Sequence, residues 1–320
     1  LGAAVSAYVD GRRVVHLWGG WADADRTRQW QPDTIACTFS ATKGITATCA
    51  LRLVERGLLD LDAPVATYWP QFAHAGKGEI TVRMVLSHQS GLPWATVPYP
   101  TDMRFDWATA TDALARSAPV LEPGSRTAYH GGSFGYLVGE VLRRIDGRSL
   151  DTFFQEEIGG PLAADFMFRL GPEHDHRCAE MTGPEDMVGG SNSREWRAAG
   201  DGSATSFTTA DGLARVYAAL ARGGELDGVR VLRPETIDAA IQEQALANGD
   251  GTTGDFGLGY QLLWKVYPGL PTRTFGHSGV GGCIGLADPT ARLGFGFVMN
   301  HMGSNGAAHL LSALYRSLGP

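Results

Sequence analysis

The chain has 320 residues, enough for one large domain or two interleaved ones, and its 43% apolar and 19% charged residues are ordinary globular usage. No run reaches the roughly 18 unbroken apolar residues of a membrane helix, which excludes a membrane span or a disordered chain. The net charge of −7, from 27 Lys and Arg against 34 Asp and Glu, opposes a nucleic-acid partner, and no basic cluster relieves it.

Residues 3–9 and 13–18 are rich in β-formers and bracket Asp10-Gly11, a two-residue primed turn, so the chain is expected to open with a hairpin. It opens inside that run with no basic-then-apolar leader, and upstream residues are expected to have been lost. The four cysteines, Cys37, Cys49, Cys178 and Cys283, form no C-x-x-C pair. A reduced, cytoplasmic setting is the expectation, with export left open. From Ala41 the spacing of Ile45, Cys49, Leu53 and Val54 predicts a helix capped by Gly57, with Ser40 at its mouth.

Residues 64–206 alternate short helices, clearest at 81–87, 133–145 and 150–157, with Pro/Gly-rich loops. The Gly/Ser/Asn-rich stretch 178–205 reads as a loop or mobile rim. Helices are expected at 209–222, 234–242 and 307–318, and strands at 258–266, 281–287 and 294–300. Consecutive strands without helices between them imply an antiparallel sheet, which the N-terminal hairpin is expected to share. The expected fold class is therefore α+β: residues 1–63 and 207–320 are expected to form one discontinuous α/β domain and residues 64–206 an inserted mostly helical one, with the functional site between them.

Three segments carry chemistry. Ser40-Ala41-Thr42-Lys43 is an S-x-x-K; three residues along a helix bring both side chains to one face, so the amine can reach the hydroxyl. Only three lysines exist, Lys43, Lys77 and Lys265. A free lysine titrates near pH ~10.4, so Lys43 must be desolvated to act as a base at neutrality. Tyr129, in a loop running into the Ser133 helix, could be held as a phenolate beside a lysine and relay a proton. Gly276-His277-Ser278-Gly279-Val280-Gly281-Gly282 begins a C-terminal strand, and the Val280 amide could join that of Ser40 as an oxyanion donor.

In this order the three segments resemble the penicillin-recognising serine hydrolases, specifically class C β-lactamases and their family eight carboxylesterase relatives. Residues 57–65 (Gly-Leu-Leu-Asp-Leu-Asp-Ala-Pro-Val), 86–93 (Leu-Ser-His-Gln-Ser-Gly-Leu-Pro) and 286–289 (Leu-Ala-Asp-Pro) carry the likeness further, so that it spans residues 3–317. The resemblance implies a β-lactamase/transpeptidase-like fold, Ser40 as nucleophile, Lys43 as its partner and Tyr129 as general base or acid. His277-Ser278-Gly279 stands in the place of the Lys-Thr-Gly box. Two positions depart from the lactamase pattern: Gly131 where it has Asn, and His277 where it has a permanent cation. Both favour an uncharged ester over a β-lactam or peptide.

Other signals compete. Gly131-Gly132-Ser133-Phe134-Gly135 matches the G-x-S-x-G elbow but lacks a strand before it, so Ser133 is expected to start a helix. His174-Asp175-His176-Arg177-Cys178 holds ligand-type residues without reason to converge on a metal. His88 is expected to be a hydrogen-bonded structural residue. Trp94, Tyr99, Phe105 and Trp107 form either a cleft wall or core. The expected activity is a serine carboxylesterase forming an acyl-enzyme on small or medium acyl esters, with no metal or organic cofactor. An acyltransferase using an alcohol or amine acceptor is the alternative, then a β-lactamase or D-Ala-D-Ala peptidase, and last a non-catalytic binding module. The partner is a small ester or acyl substrate.

Overall fold

The computed structural model describes residues 1–100, 105–244, 255–303 and 306–318. Strand β1 (Gly2–Val9) turns through Asp10 and Gly11, both at positive φ, into β2 (Arg12–Gly20), the geometry that an Asp-Gly hairpin turn supplies. The C-terminal part adds β3 (Phe275–Ser278), β4 (Ile284–Asp288) and β5 (Leu293–Met299). All five form one antiparallel sheet in the order β2-β1-β5-β4-β3. The first strand is thereby fastened to the last, with Ala3 opposite Met299 and Val9 opposite Leu293.

The longer helices are α1 (Thr42–Glu55), α2 (Trp107–Arg116), α3 (Ser133–Asp146), α4 (Ala210–Ala221) and α5 (Gly306–Leu318). Side chains cap two of them: Thr209 accepts the Gly212 amide at the start of α4, and Asp106 accepts the Thr109 amide at the start of α2. Helix α4 lies against β5 so closely that a Cβ on Gly294 would sit 2.3 Å from the Ala218 backbone, and one on Gly296 2.4 Å from the Ala210 carbonyl oxygen. On another flank α5 places Leu311 in a buried cluster with Ile284, Leu286, Phe295 and Phe297. Among the described residues no helix is long and apolar enough to cross a membrane, and all four cysteines are buried free thiols.

Two expectations need correction. Residues 258–266 do not form a strand: Gln261 alone bridges Gly276 at the sheet edge, and Leu263–Val266 makes a short helical turn. Leu258, Tyr260, Leu262 and Leu263 are all buried, with no alternation of buried and open positions along 258–263, and the β-rich composition there reflects burial rather than pleating. The stretch 178–205 is not a bare rim either. It contains helices Glu185–Val188 and Arg194–Ala199, the second capped by Ser193 and pinned by Arg194 and Arg197 to Asp175. Helix α2 was not anticipated.

Lys77 is wholly buried and donates to the carbonyls of His74 (2.7 Å), Ala115 (2.9 Å) and Ser117, which satisfies backbone acceptors left open at the end of α2. A side chain at Gly296 has no such room. Gly296→Val is expected to destabilise the protein by about 3 kcal/mol in urea unfolding, because fixed backbone must move. Gly19→Ala, where nothing lies within 4 Å of the new Cβ, should stay within about 0.5 kcal/mol of the parent.

Candidate active site

A 3-10 turn, Phe39–Ala41, leads into α1 and sets Ser40 at its N-terminal end. Phe39 holds φ at 46°, a conformation costing a bulky residue on the order of 1–3 kcal/mol. Buried hydroxyls brace the turn from below. Thr42 Oγ1 donates to the Phe39 carbonyl at 2.5 Å and lies 2.6 Å from Ser206 Oγ, which is 2.5 Å from Thr38 Oγ1.

Lys43, one helical turn on, is wholly buried. Its Nζ donates to Ser40 Oγ at 3.2 Å, to the Gly131 carbonyl at 2.8 Å and to the Ser203 carbonyl at 2.9 Å, one acceptor for each ammonium hydrogen. Among the described residues no carboxylate forms an ion pair with it. Burial therefore pulls its pKa down to about 7, opposed by the charge of Asp201 farther off. The carbonyls are themselves fixed. Asp201 Oδ1 accepts the amides of Ser203 (2.7 Å), Ala204 (2.8 Å) and Thr205 (3.2 Å), and Ser203 Oγ joins the Gly132 carbonyl (3.1 Å) to the Gly135 amide (2.7 Å).

Tyr129 closes the third side. Its ring centroid is 5.0 Å from Lys43 Nζ, and its phenol hydrogen-bonds the Ser40 side chain. The residue as a whole is 42% exposed, yet its phenol is desolvated beside Ser40. Burial pushes the phenol up to about 12, with the Ser40 hydrogen bond opposing. The group is thus a neutral phenol, not a phenolate: burial has lowered the charge on both Lys43 and Tyr129.

The loop around Tyr129 is held by His88, which sits at φ 61°. The His88 carbonyl accepts the Ala128 amide at 2.8 Å, and His88 Nδ1 accepts the His130 amide at 3.1 Å, so one residue grips the backbone on both sides of Tyr129. Because Nδ1 is an acceptor, the proton sits on Nε2. Burial, with the neighbouring His130, Lys43 and His277, keeps the His88 ring neutral. The sequence foresaw a hydrogen-bonded histidine here but not what it holds.

Strand β3 forms the remaining wall. A Cβ on Gly279 would lie 2.1 Å from the Thr38 carbonyl oxygen, so only glycine lets this strand meet the turn that carries Ser40. His277 is buried, its Nδ1 donates to the Ser278 carbonyl at 2.7 Å, and burial with nearby Lys43 lowers its pKa to about 3. Ser278 donates both its amide and its hydroxyl to Gln261 Oε1, each at 2.8 Å. Val280, at the tip, is 49% exposed. No sequence motif marks Gln261; for Asp201 the signal that could have found it is the local Asp-Gly-Ser turn chemistry at 201–203.

The competing signals resolve locally. Ser133 starts α3 and donates its hydroxyl to the Leu92 carbonyl at 2.6 Å. In the 174–178 segment Asp175 is taken by two arginines and His176 bonds the Glu173 carbonyl, and among the described residues no group of three ligand-type side chains converges. Trp94, Tyr99 and Phe105 line a cavity of about 290 Å³ next to Gly132 and Ala204. Trp107 does not: its indole donates to Glu140 at 2.8 Å. A larger cavity of about 880 Å³ separates Gly279–Ile284 from Leu311 and Tyr315 of α5, and none of Ser40, Lys43 or Tyr129 lines it.

A family model described as Beta-lactamase matches residues 1–319. The chain belongs to the beta-lactamase family. It is 35% identical to the Esterase/beta-lactamase LipL of Mycobacterium tuberculosis, over 94% of this chain and 77% of that one. A family VIII carboxylesterase crystal structure superposes with a TM-score of 0.93 at 37% identity, covering 99% of this chain and 92% of that one. A penicillin-binding protein homolog from Caulobacter crescentus gives 0.92 at 35% identity, with the same coverage. The protein is a beta-lactamase-family serine hydrolase, of the α+β class expected from its sequence.

The grip of His88 on the Tyr129 loop has a measurable consequence for this family member. His88→Leu should lower kcat by about a hundredfold, since an error of about 1 Å in a reacting group costs that much. His88→Asn, which keeps an acceptor near the Nδ1 position and tolerates positive φ, should retain most of the activity. Steady-state kinetics on folded variants checks both.

Proposed function

We propose that the protein is a carboxylesterase for small or medium acyl esters, working through an acyl-enzyme on Ser40. The observation that carries this reading is the buried Lys43 amine, 3.2 Å from Ser40 Oγ with its other hydrogens held by two carbonyls. When the amine is neutral, those carbonyls keep its two N–H groups and the lone pair is left for the serine proton. Ser40 Oγ then attacks the ester carbonyl carbon, and Lys43 takes the proton. The carbonyl oxygen becomes an oxyanion between the Ser40 and Val280 amides, a placement worth on the order of 3–4 kcal/mol per donor. As the ester C–O bond breaks, the neutral Tyr129 phenol passes a proton to the departing alkoxide and is reprotonated from Lys43. Water then attacks the acyl-enzyme in the reverse sense, releasing the acid and free Ser40.

Two features favour an ester over a β-lactam. His277, with its pKa lowered to about 3, is neutral and offers no cation to a substrate carboxylate. Gly131 supplies only its backbone, where the lactamase pattern has an amide side chain. That LipL is named for both activities makes the comparison worth measuring.

Intact-mass spectrometry after mixing with p-nitrophenyl butyrate should show one butyryl adduct, absent in Ser40→Ala. An adduct persisting in Ser40→Ala overturns the assignment. Faster discharge by an added alcohol or amine than by water would make the enzyme a transferase. Hydrolysis of a chromogenic cephalosporin at comparable kcat/KM would reverse the substrate order.

The pH dependence follows from Lys43. Its folded pKa is depressed to about 7, so the base is neutral above that value and protonated below it. kcat/KM should be flat on the alkaline side and fall tenfold per unit below pH ~7. Tyr129, raised to about 12, should add no second limb in the accessible range. Lys43→Arg, which cannot deprotonate, should lose at least about a thousandfold.

A further inference from the structure

We propose that the aromatic cavity beside Lys43 is a subsite for an organic ammonium group carried by the substrate. The proposal rests on the acyl-enzyme reading above and narrows its substrate class. The cavity, about 290 Å³, is walled by Trp94, Tyr99, Phe105, Tyr136 and Trp196, and Asp201 is part of its lining. Gly132 and Ala204 form its inner side. Each is the neighbour of a residue whose carbonyl holds Lys43, Gly131 and Ser203 respectively. Trp196 packs 5.9 Å from the ring of Phe39, the residue before Ser40. A group attached to an ester at Ser40 therefore has a short path into this space.

The chemistry of the lining decides what fits. Ring faces carry negative electrostatic potential and attract cations, most strongly when the site is desolvated. Asp201 is 6% exposed and is the one charged group among the described lining residues. Among the described residues every hydrogen bond to its carboxylate ends on Oδ1, from the amides of Ser203, Ala204 and Thr205 and the Thr205 hydroxyl. The charges of both Asp201 and Asp106 are felt at the Tyr136 phenol. Arg169, also felt there more weakly, turns its guanidinium to the Ala198 carbonyl and lines a separate small cavity. A neutral aryl group would fill the rings but bring no charge to Asp201, which otherwise acts on the more distant Lys43 amine; a carboxylate would be repelled. A trimethylammonium group meets both the rings and Asp201.

The ammonium could sit on the alcohol or the acyl part of the ester, and paired substrates distinguish the two. Acetylcholine is compared with 3,3-dimethylbutyl acetate, and p-nitrophenyl 4-(trimethylammonio)butanoate with p-nitrophenyl 5,5-dimethylhexanoate, each pair differing by one N⁺ for C. At least one cationic member should be preferred by about tenfold in kcat/KM. That ratio should fall to about one in Asp201→Asn, which keeps the Oδ1 acceptor, and should drop in Trp94→Leu, whose site is 61% exposed and safe to truncate. Ratios within twofold of one for both pairs in the parent, or a preference that survives Asp201→Asn, overturn the subsite. p-Nitrophenyl acetate, which carries no ammonium, tests the other layer: an acetyl adduct on Ser40 together with flat ratios sinks the subsite alone. If no adduct forms, the esterase reading falls, and the subsite is judged by tetramethylammonium titration of tryptophan fluorescence. Saturable quenching lost in Asp201→Asn supports it, and no quenching overturns it.

Discussion

A lysine amine taken out of water without a paired carboxylate is the constraint around which the rest is arranged. Lys43 is shut in completely, and three oxygens replace its hydration. Leaving such a group unsatisfied would cost several kcal/mol, so the chain must bring three separate segments to one point. Helix α1 and the turn that leads into it bring the amine and the serine, the 129–131 loop brings one carbonyl, and the 201–205 turn brings the other. The buried hydroxyls of Thr38, Thr42 and Ser206 and the carboxylate of Asp201 keep those segments from drifting. Stability is given up at one point so that a base exists at neutral pH, the usual relation between a strained site and its scaffold.

The same desolvation disfavours the charged forms of the amine, the phenol and the imidazoles around Ser40. Lys43 is lowered, Tyr129 is raised, and His88, His130 and His277 are all held below the ordinary imidazole range. His130 shows how: its Nδ1 donates to the Ala128 carbonyl at 2.5 Å and its Nε2 meets Ser90 Oγ at 2.6 Å, so both nitrogens are used as a neutral ring uses them. Neutral donors and acceptors, with no fixed cation at the β3 edge, suit a substrate that brings no carboxylate of its own.

Much of this was legible in the sequence, for identifiable reasons. Asp10-Gly11 announced the hairpin because few other dipeptides accept two positive φ values, and the spacing of Ile45, Cys49 and Leu53 announced α1. Ser40, Lys43, Tyr129 and His277-Ser278-Gly279 stood out because their side chains carry the chemistry. The partners of Lys43 did not, since Gly131 and Ser203 act through backbone carbonyls that any residue possesses. Residues 258–266 misled because a fully buried irregular passage and a strand draw on the same apolar residues. Helix α2 was hidden among prolines and aromatics, and only the Asp106 cap marks its start.

The protein spends two of its three lysines in the interior, one at the site and one closing the end of α2. The third, Lys265, is 22% accessible at its side chain and bonded to Glu243. Leaving the chain terminus aside, amine-directed reagents meet one partly shielded lysine on a surface otherwise built with arginine. Coupling to a resin or a dye through lysine would thus orient every molecule alike, with the arginine ion pairs left untouched.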